Sequence, residues 1–268
     1  MFQDFLQKSI FISGIVIIRY FILAGFFFSI FYIIFKKQNL IQKIQEKFPS
    51  ISDYKRDISY SVFSSLIFGV FFTLINTGLK PYTQMYEKIS EFGIGYYILS
   101  YFLMILIHDT YFYWTHRLIH HPKLFRKVHL VHHKTTNPTP WTSLAFHPWE
   151  AFVQALIIPL IVFIIPVQKF ALVFYFIFQL AHNIYGHLGY ELIPGFIRRS
   201  ALGKYLNTSM YHNHHHKNFH GNYGLFFTFW DRWMDTLVPE KNMPEKEEML
   251  IPELEEKAVS TISGFINK

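Results

Sequence analysis

Fifteen histidines crowd between His108 and His220, and none lies elsewhere in the 268-residue chain. Fold stability gives no reason for this clustering, because an imidazole in an apolar core is costly unless both ring nitrogens find partners. The spacings sharpen the pattern. His116 and His120 stand at i and i+4, while His129, His132 and His133 stand at i, i+3 and i+4. His212, His215 and His216 repeat that triple. On a helix each set occupies largely one face, so three segments each project two or three imidazoles together. Eight such groups exceed the roughly four ligands that one zinc ion takes. Two metals, or one metal with spare proton carriers, are the readings the spacing leaves. Imidazole suits iron, zinc, copper and nickel alike, so ligand type alone leaves the metal open.

Other chemistry is excluded or disfavoured. The chain has no cysteine, which removes disulfides, thiolate-bound zinc, iron–sulfur clusters and thiol nucleophiles. A membrane zinc-dependent metallohydrolase is one alternative, but the HExxH pattern that supplies its carboxylate base is missing. A histidine-rich metal transporter is another. Transporters hold polar ligands near the bilayer midplane, whereas these histidine boxes follow the ends of apolar segments. The 25 Lys and Arg outweigh the 18 Asp and Glu by seven charges. No basic face with a recognised motif accompanies that excess, so the reading excludes nucleic acid as a partner. It assigns the charge to loops facing an anionic lipid leaflet.

The elements that must position the histidines are apolar and long. Aromatic residues make up 20% of the chain, with 31 Phe, and charged residues only 16%. Soluble domains carry about 25% charged residues. An integral membrane protein is expected. A helix crossing the hydrocarbon core needs about 20 apolar residues. Residues 10–35 supply one span, interrupted only by Arg19, and residues 58–79 and 92–114 supply two more. Between the first two lie Lys36, Lys37, Lys43, Lys47, Lys55 and Arg56, against only Lys80 and Lys88 in the following loop. The positive-inside rule puts the first loop in the cytoplasm and the start of the chain outside. The apolar stretch 151–182, broken by Pro159 and Pro166, reads as a helical hairpin that dips into the membrane and returns. No small-residue cleavage site follows the first apolar run, so that span is expected to be retained. The fold expected is an all-α, multi-pass membrane protein with three transmembrane helices, a hairpin, and a cytosolic histidine-rich helical cap. Residues 1–91 form its membrane anchor, 92–238 its catalytic domain and 239–268 a charged tail.

The stretches 109–121, 129–134 and 212–216 resemble the HxxxH, HxxHH and HxxHH boxes of the fatty acid hydroxylase/sterol desaturase superfamily, and most of all those of its lathosterol oxidase type. The likeness continues through 138–148, 186–191 and 221–232, so that it covers about 109–237. The resemblance implies a non-haem centre of two iron ions in the cap. O2 would be activated there with electrons from an external redox donor protein, and a C–H bond of a lipid substrate hydroxylated or desaturated. Sterol, carotenoid, fatty acyl and other lipids all fit. Carried over by motif, the metal ligands are His116, His120, His129, His132, His133, His212, His215 and His216. A further family ligand falls between the last two boxes, where His187 matches best and His182 is second. The third box departs from the family pattern at Asn213 and His214.

Around the boxes stand candidates for metal binding or for orienting a ligand: His108, Asp109, His147, His182, His214, Asn222 and Asp231. Metal-bound imidazoles usually donate their other N–H to a carboxylate or carbonyl. Asp109 and Asp231 are the expected carboxylate partners, with Glu150 and Glu191 also near the boxes. Asn222 is a further expected partner of a ligand histidine. Breaking an unactivated C–H bond needs an oxidant that no amino-acid side chain supplies, so catalysis is assigned to the metal centre itself.

Overall fold

The structure, a computed structural model, describes residues 2–35 and 42–240. Beyond residue 240 the expected charged tail lies outside the described residues, as do Lys36 and Lys37.

The chain is helical almost throughout. Helix α1 (Phe2–Phe28) continues as a wider π-helical turn over Ser29–Ile34. Helix α2 (Ile51–Thr77) starts at a capping box in which the Ser50 hydroxyl accepts from the Asp53 N–H and the Asp53 carboxylate accepts from the Ser50 N–H. These two elements, Phe2–Ile34 and Ile51–Thr77, are long and apolar enough to cross a membrane. They cross closely because small residues meet. A Cβ on Gly69 would lie 2.1 Å from Ser13 Oγ and 2.6 Å from Ser13 Cα.

Helix α3 (Gly93–Ile119) has the length of a span and exposes Ile94, Ile98, Phe102 and Leu106. It differs from the first two because its later half carries His108, Asp109, His116 and Arg117, three of them buried. Helices α4 (Pro122–Val128) and α5 (Leu130–His133) follow, joined at His129. A 3₁₀ turn over Pro140–Leu144 then leads into the expected hairpin. Its descending arm is α6 (Pro148–Ala155) and α7 (Ile157–Ile164), and its returning arm is α8 (Lys169–Gly186). The turn falls at Pro166 as expected, but Pro159 does not break the arm at its own position. The interruption comes at Leu156, because a proline ring collides with the carbonyl four residues upstream, here Ala155. Short helices α9 (Gly195–Arg198), α10 (Ser209–Asn218) and α11 (Phe229–Trp233) complete the cap.

Two tiny ladders mark opposite ends of the molecule. Strand β1 (Gln42–Lys43) pairs antiparallel with β4 (Tyr190–Glu191), laying the basic loop after α1 against the cap. The Gln45 amide reinforces this by donating to Asn213 Oδ1 at 2.7 Å and to the Thr136 carbonyl at 2.9 Å. Strand β2 (Met85–Tyr86) pairs parallel with β3 (Val167–Gln168), so the hairpin tip reaches the loop between α2 and α3. The apolar core between these ends gathers Met104, Ile158, Ile161 and Tyr175, all nearly or fully buried.

Candidate metal centre

Nine histidines converge in two groups. His116, His120, His129, His133 and His215 form one, and His132, His187, His212 and His216 form the other; within each, the ligand atoms all lie within 4.8 Å of one another. All nine candidates named from the sequence are present. The grouping cuts across the boxes. Each i, i+4 pair (116/120, 129/133 and 212/216) stays within one group, while the i+3 member (132 or 215) joins the other. Residues i+3 and i+4 diverge by about 100° around a helix axis, so one box faces two centres.

Helix ends aim the rings. His116 sits in the last turn of α3 and His120 caps it, with the His120 N–H bonded to the His116 carbonyl at 3.1 Å. His129 terminates α4, yet the N–H groups of His132 and His133 bond back to its carbonyl. The helical spacing of that box therefore survives a break in the helix. His187 caps α8, and α10 carries the third box before ending at Phe219 in the left-handed conformation.

The outer ring nitrogens settle what the inner ones can do. Nδ1–H of His116 donates to the Tyr223 carbonyl at 3.0 Å, and that of His187 to Asn183 at 2.7 Å. His215 donates to Gly221 at 2.8 Å and His216 to Thr135 at 3.0 Å. His129 Nδ1 lies 2.7 Å from Glu150 Oε1, with the N–H off the hydrogen-bond line. A neutral imidazole carries one N–H, so these rings turn bare Nε2 lone pairs inward. Those atoms meet at 3.1 Å for His116 and His129 and at 3.0 Å for His187 and His212. The Nε2 atoms of His120, His215 and His216 are buried without any partner. A cation between such closely gathered nitrogens satisfies them together. The donor set fits a metal in each group, held by neutral nitrogen donors with their far sides fixed.

Burial, reinforced by neighbouring imidazoles, holds His129, His132, His133, His212, His215 and His216 well below the usual histidine range. They are neutral near pH 7, the protonation state that ligation requires.

The remaining sequence candidates lie outside both groups. His108 is buried with Nδ1 2.9 Å from the Tyr175 hydroxyl. His147 caps α6 and accepts from the Trp149 N–H. His182 pairs through Nε2 with the Leu225 carbonyl at 3.0 Å, and His214 is half-buried on α10 away from the ligand face. Asn222 does not meet a ligand imidazole. Its amide donates to the Tyr211 carbonyl and its oxygen accepts from the Val238 N–H, because at φ 55 it shapes a turn. Asp109 and Asp231 likewise bond no histidine. Asp109 accepts from the N–H groups of Phe226 and Phe227, and Asp231 from those of Tyr223 and Gly224. Both carboxylates brace the loop whose carbonyls, at Gly221 and Tyr223, receive His215 and His116. Gly221 itself has φ 69, and a Cβ there would meet the Thr236 carbonyl oxygen at 2.4 Å.

Two further supports were not legible in the sequence as partners. Glu150 is the carboxylate beside a ligand ring. Asp57 on α2, 2% exposed, accepts from the Thr135 hydroxyl at 2.8 Å and so fixes the residue whose carbonyl receives His216. Nothing beside it in the sequence, with Lys55 and Arg56 before it and the apolar run beginning at Ile58, singles it out.

A small cavity of about 50 Å³ lies beside both groups. Phe112 packs on His116 with ring centres 4.9 Å apart and Phe146 on His132 at 5.1 Å. Asn183, whose carbonyl holds His187, also lines it. Phe68, Phe72 and Phe176 make the far wall apolar. Such a lining, apolar with a few convergent polar groups, is of the kind that receives small amphipathic ligands.

Comparison with known proteins agrees with this site. Residues 101–236, about half the chain, match the sequence model of the fatty acid hydroxylase family. The chain is 34% identical over 168 residues to a Delta(7)-sterol 5(6)-desaturase, ERG3B, of Gibberella zeae, covering 62% of this chain and 50% of that protein. It is 32% identical over 156 residues to lathosterol oxidase of Homo sapiens, covering 58% and 50%. It is 32% identical over 183 residues to a Delta(7)-sterol 5(6)-desaturase, erg3C, of Aspergillus fumigatus, covering 61% and 54%. The chain thus spans about half the length of the curated relatives it matches, and no solved structure matches it. On the match of residues 101–236, which contain every histidine of both groups, the chain belongs to the fatty acid hydroxylase family and is similar to its sterol desaturases.

Proposed function

We propose that the chain is a multi-pass membrane oxidoreductase that uses O2 to hydroxylate or desaturate a C–H bond of a lipid, sterol-like or otherwise. The observation that carries this reading is the convergence of nine imidazoles into two adjoining groups, with Phe112 and Phe146 packed between them and an apolar cavity. The ligands of one ion are His116, His120, His129, His133 and His215; those of the other are His132, His187, His212 and His216. Two iron ions held there supply the oxidising power that side chains lack. The protein's own part is positioning. Carbonyl acceptors and Glu150 fix the ring tautomers, Phe112 and Phe146 keep water from the histidine wall, and the cavity presents a lipid carbon to it. The names of the relatives, desaturases and an oxidase of sterols, favour a sterol-like substrate. Electrons come from a separate donor protein.

The same reading makes α3 a third span and residues 92–238 the catalytic domain, anchored by residues 1–91. The basic residues Lys43, Lys47, Lys55 and Arg56 lie at the histidine-bearing end and only Lys80 and Lys88 in the loop between α2 and α3, a charge contrast that favours a cytoplasmic cap.

Elemental analysis of protein purified without oxygen tests the centre, with about two iron ions per chain expected. Mass spectrometry of cellular lipids with and without the gene then reports the product. Activity in metal-free protein, or in zinc-loaded but not iron-loaded protein, overturns the reading; the second result points to a hydrolase.

A further inference from the structure

Arg19 lies in the middle of the apolar element Phe2–Ile34 and lines the cavity. Its Nε is buried without a hydrogen-bond partner, and no ion pair or hydrogen bond of its guanidinium occurs among the described residues. Charged side chains within membrane spans are costly, and they persist where they face an interior cavity and find a partner. A guanidinium has five N–H donors and no acceptor, so the missing partner is a group that presents oxygen acceptors. Two more donors share the cavity. Gln154, 8% exposed, and Gln179 both line it, and among the described residues neither side-chain amide makes a hydrogen bond. The surrounding wall is Phe68, Phe72 and Phe176. His108, whose Nδ1 is occupied by Tyr175, lies on this wall. Two helical turns further along α3, roughly 12 Å of rise, stands His116 of the first histidine group.

We infer that Arg19 binds the polar end of the lipid: the acceptor oxygen of a hydroxyl or a carboxylate pairs with its guanidinium, assisted by Gln154 and Gln179. The inference rests on the lipid-oxidising reading and deepens it. A head fixed at Arg19 sets which carbon of the lipid meets the histidine wall, so Arg19 determines specificity for a substrate with oxygen at one end. A hydroxyl accepts from one or two of the donors, whereas a carboxylate matches the fork with two parallel bonds.

Competition binding on the purified full chain tests this, using two probe pairs: stearic acid against octadecane, and 5α-cholestan-3β-ol against 5α-cholestane. In each pair the polar oxygen is the difference. We expect the oxygenated member of one pair to bind at least about tenfold more tightly than its hydrocarbon, as one hydrogen bond to a charged donor gives. Which pair shows the ratio identifies the head group. In Arg19→Met the ratio falls to near unity while iron content stays that of the parent protein, a change that loss of structure alone does not produce. Arg19→Lys, which keeps the charge without the fork, retains the ratio for a hydroxyl head and loses part of it for a carboxylate. Equal affinity for both members of each pair in the parent protein overturns the role of Arg19, as does a ratio unchanged in Arg19→Met. If Arg19→Met does not fold, the ratio in the parent protein and its carboxylate loss in Arg19→Lys carry the test. Failure of all four probes to bind overturns the lipid-oxidising reading itself.

Discussion

Replacing Glu150 with Gln separates the two halves of the metal centre. Glu150 and His129 are each 1% exposed, with Oε1 2.7 Å from Nδ1. Glutamine keeps the shape and removes the carboxyl group, so the ring loses the acidic neighbour beside its Nδ1. Loss of such an outer partner typically costs 10–100-fold in metal affinity, about 1.4–2.7 kcal/mol. Among the nine converging histidines Glu150 pairs only with His129, which belongs to the five-histidine group. Titration of metal-depleted protein with Co(II), followed by visible absorption, is expected to show two binding steps. Glu150→Gln weakens one step by that factor and leaves the other in place. Metal analysis after dialysis at fixed free Co(II) checks the stoichiometry. Two unmoved steps refute the role of Glu150, and two steps moving together refute the division into separate groups.

Two further outcomes follow from the packing and the charge states. In metal-free protein, the six ligand histidines held well below the usual range stay neutral when folded but take up protons once unfolded below about pH 6.5. The unfolded state then binds more protons, so stability falls with falling pH, by about 1.4 kcal/mol per pH unit for each such histidine, and is flat above about pH 7.5. Thermal unfolding in detergent from about pH 8 to about pH 5 reads this, and a midpoint unchanged across that range counts against it. Gly69→Ala places a methyl 2.1 Å from Ser13 Oγ and forces α1 from α2. A loss of about 1–3 kcal/mol, seen as a lower thermal midpoint, is expected, and no change contradicts the close crossing.

Much of the centre was legible in the sequence because helical periodicity is local. The i, i+3 and i+4 spacing of His129, His132 and His133 put three rings within reach of one another even though α4 ends at His129. The apolar runs 10–35 and 58–79 became the two long helices because composition over about 20 residues decides membrane partition without reference to the rest of the chain. Pro166 turned the hairpin. Pro159 acted one turn upstream, where its clash with a carbonyl falls.

The partners of the ligand rings were another matter. His116, His187, His215 and His216 donate to backbone carbonyls, and every residue owns a carbonyl, so no residue type announces that role. Asp109 and Asp231 hold loop N–H groups instead of rings, and Glu150 and Asp57 reach the centre only through helix packing. Arg19 was visible as a charge in an apolar run, but its lack of a partner among the described residues was not, since that depends on where distant acceptors are placed. The sequence by itself determined the elements and eight of the nine nitrogen donors, through spacing that acts over single helical turns, while His187 entered only through the family resemblance. Tertiary structure alone decided how the donors divide into two groups, which carbonyls fix their tautomers, and that a cavity lined by Arg19 lies beside them, because those relations join residues far apart along the chain.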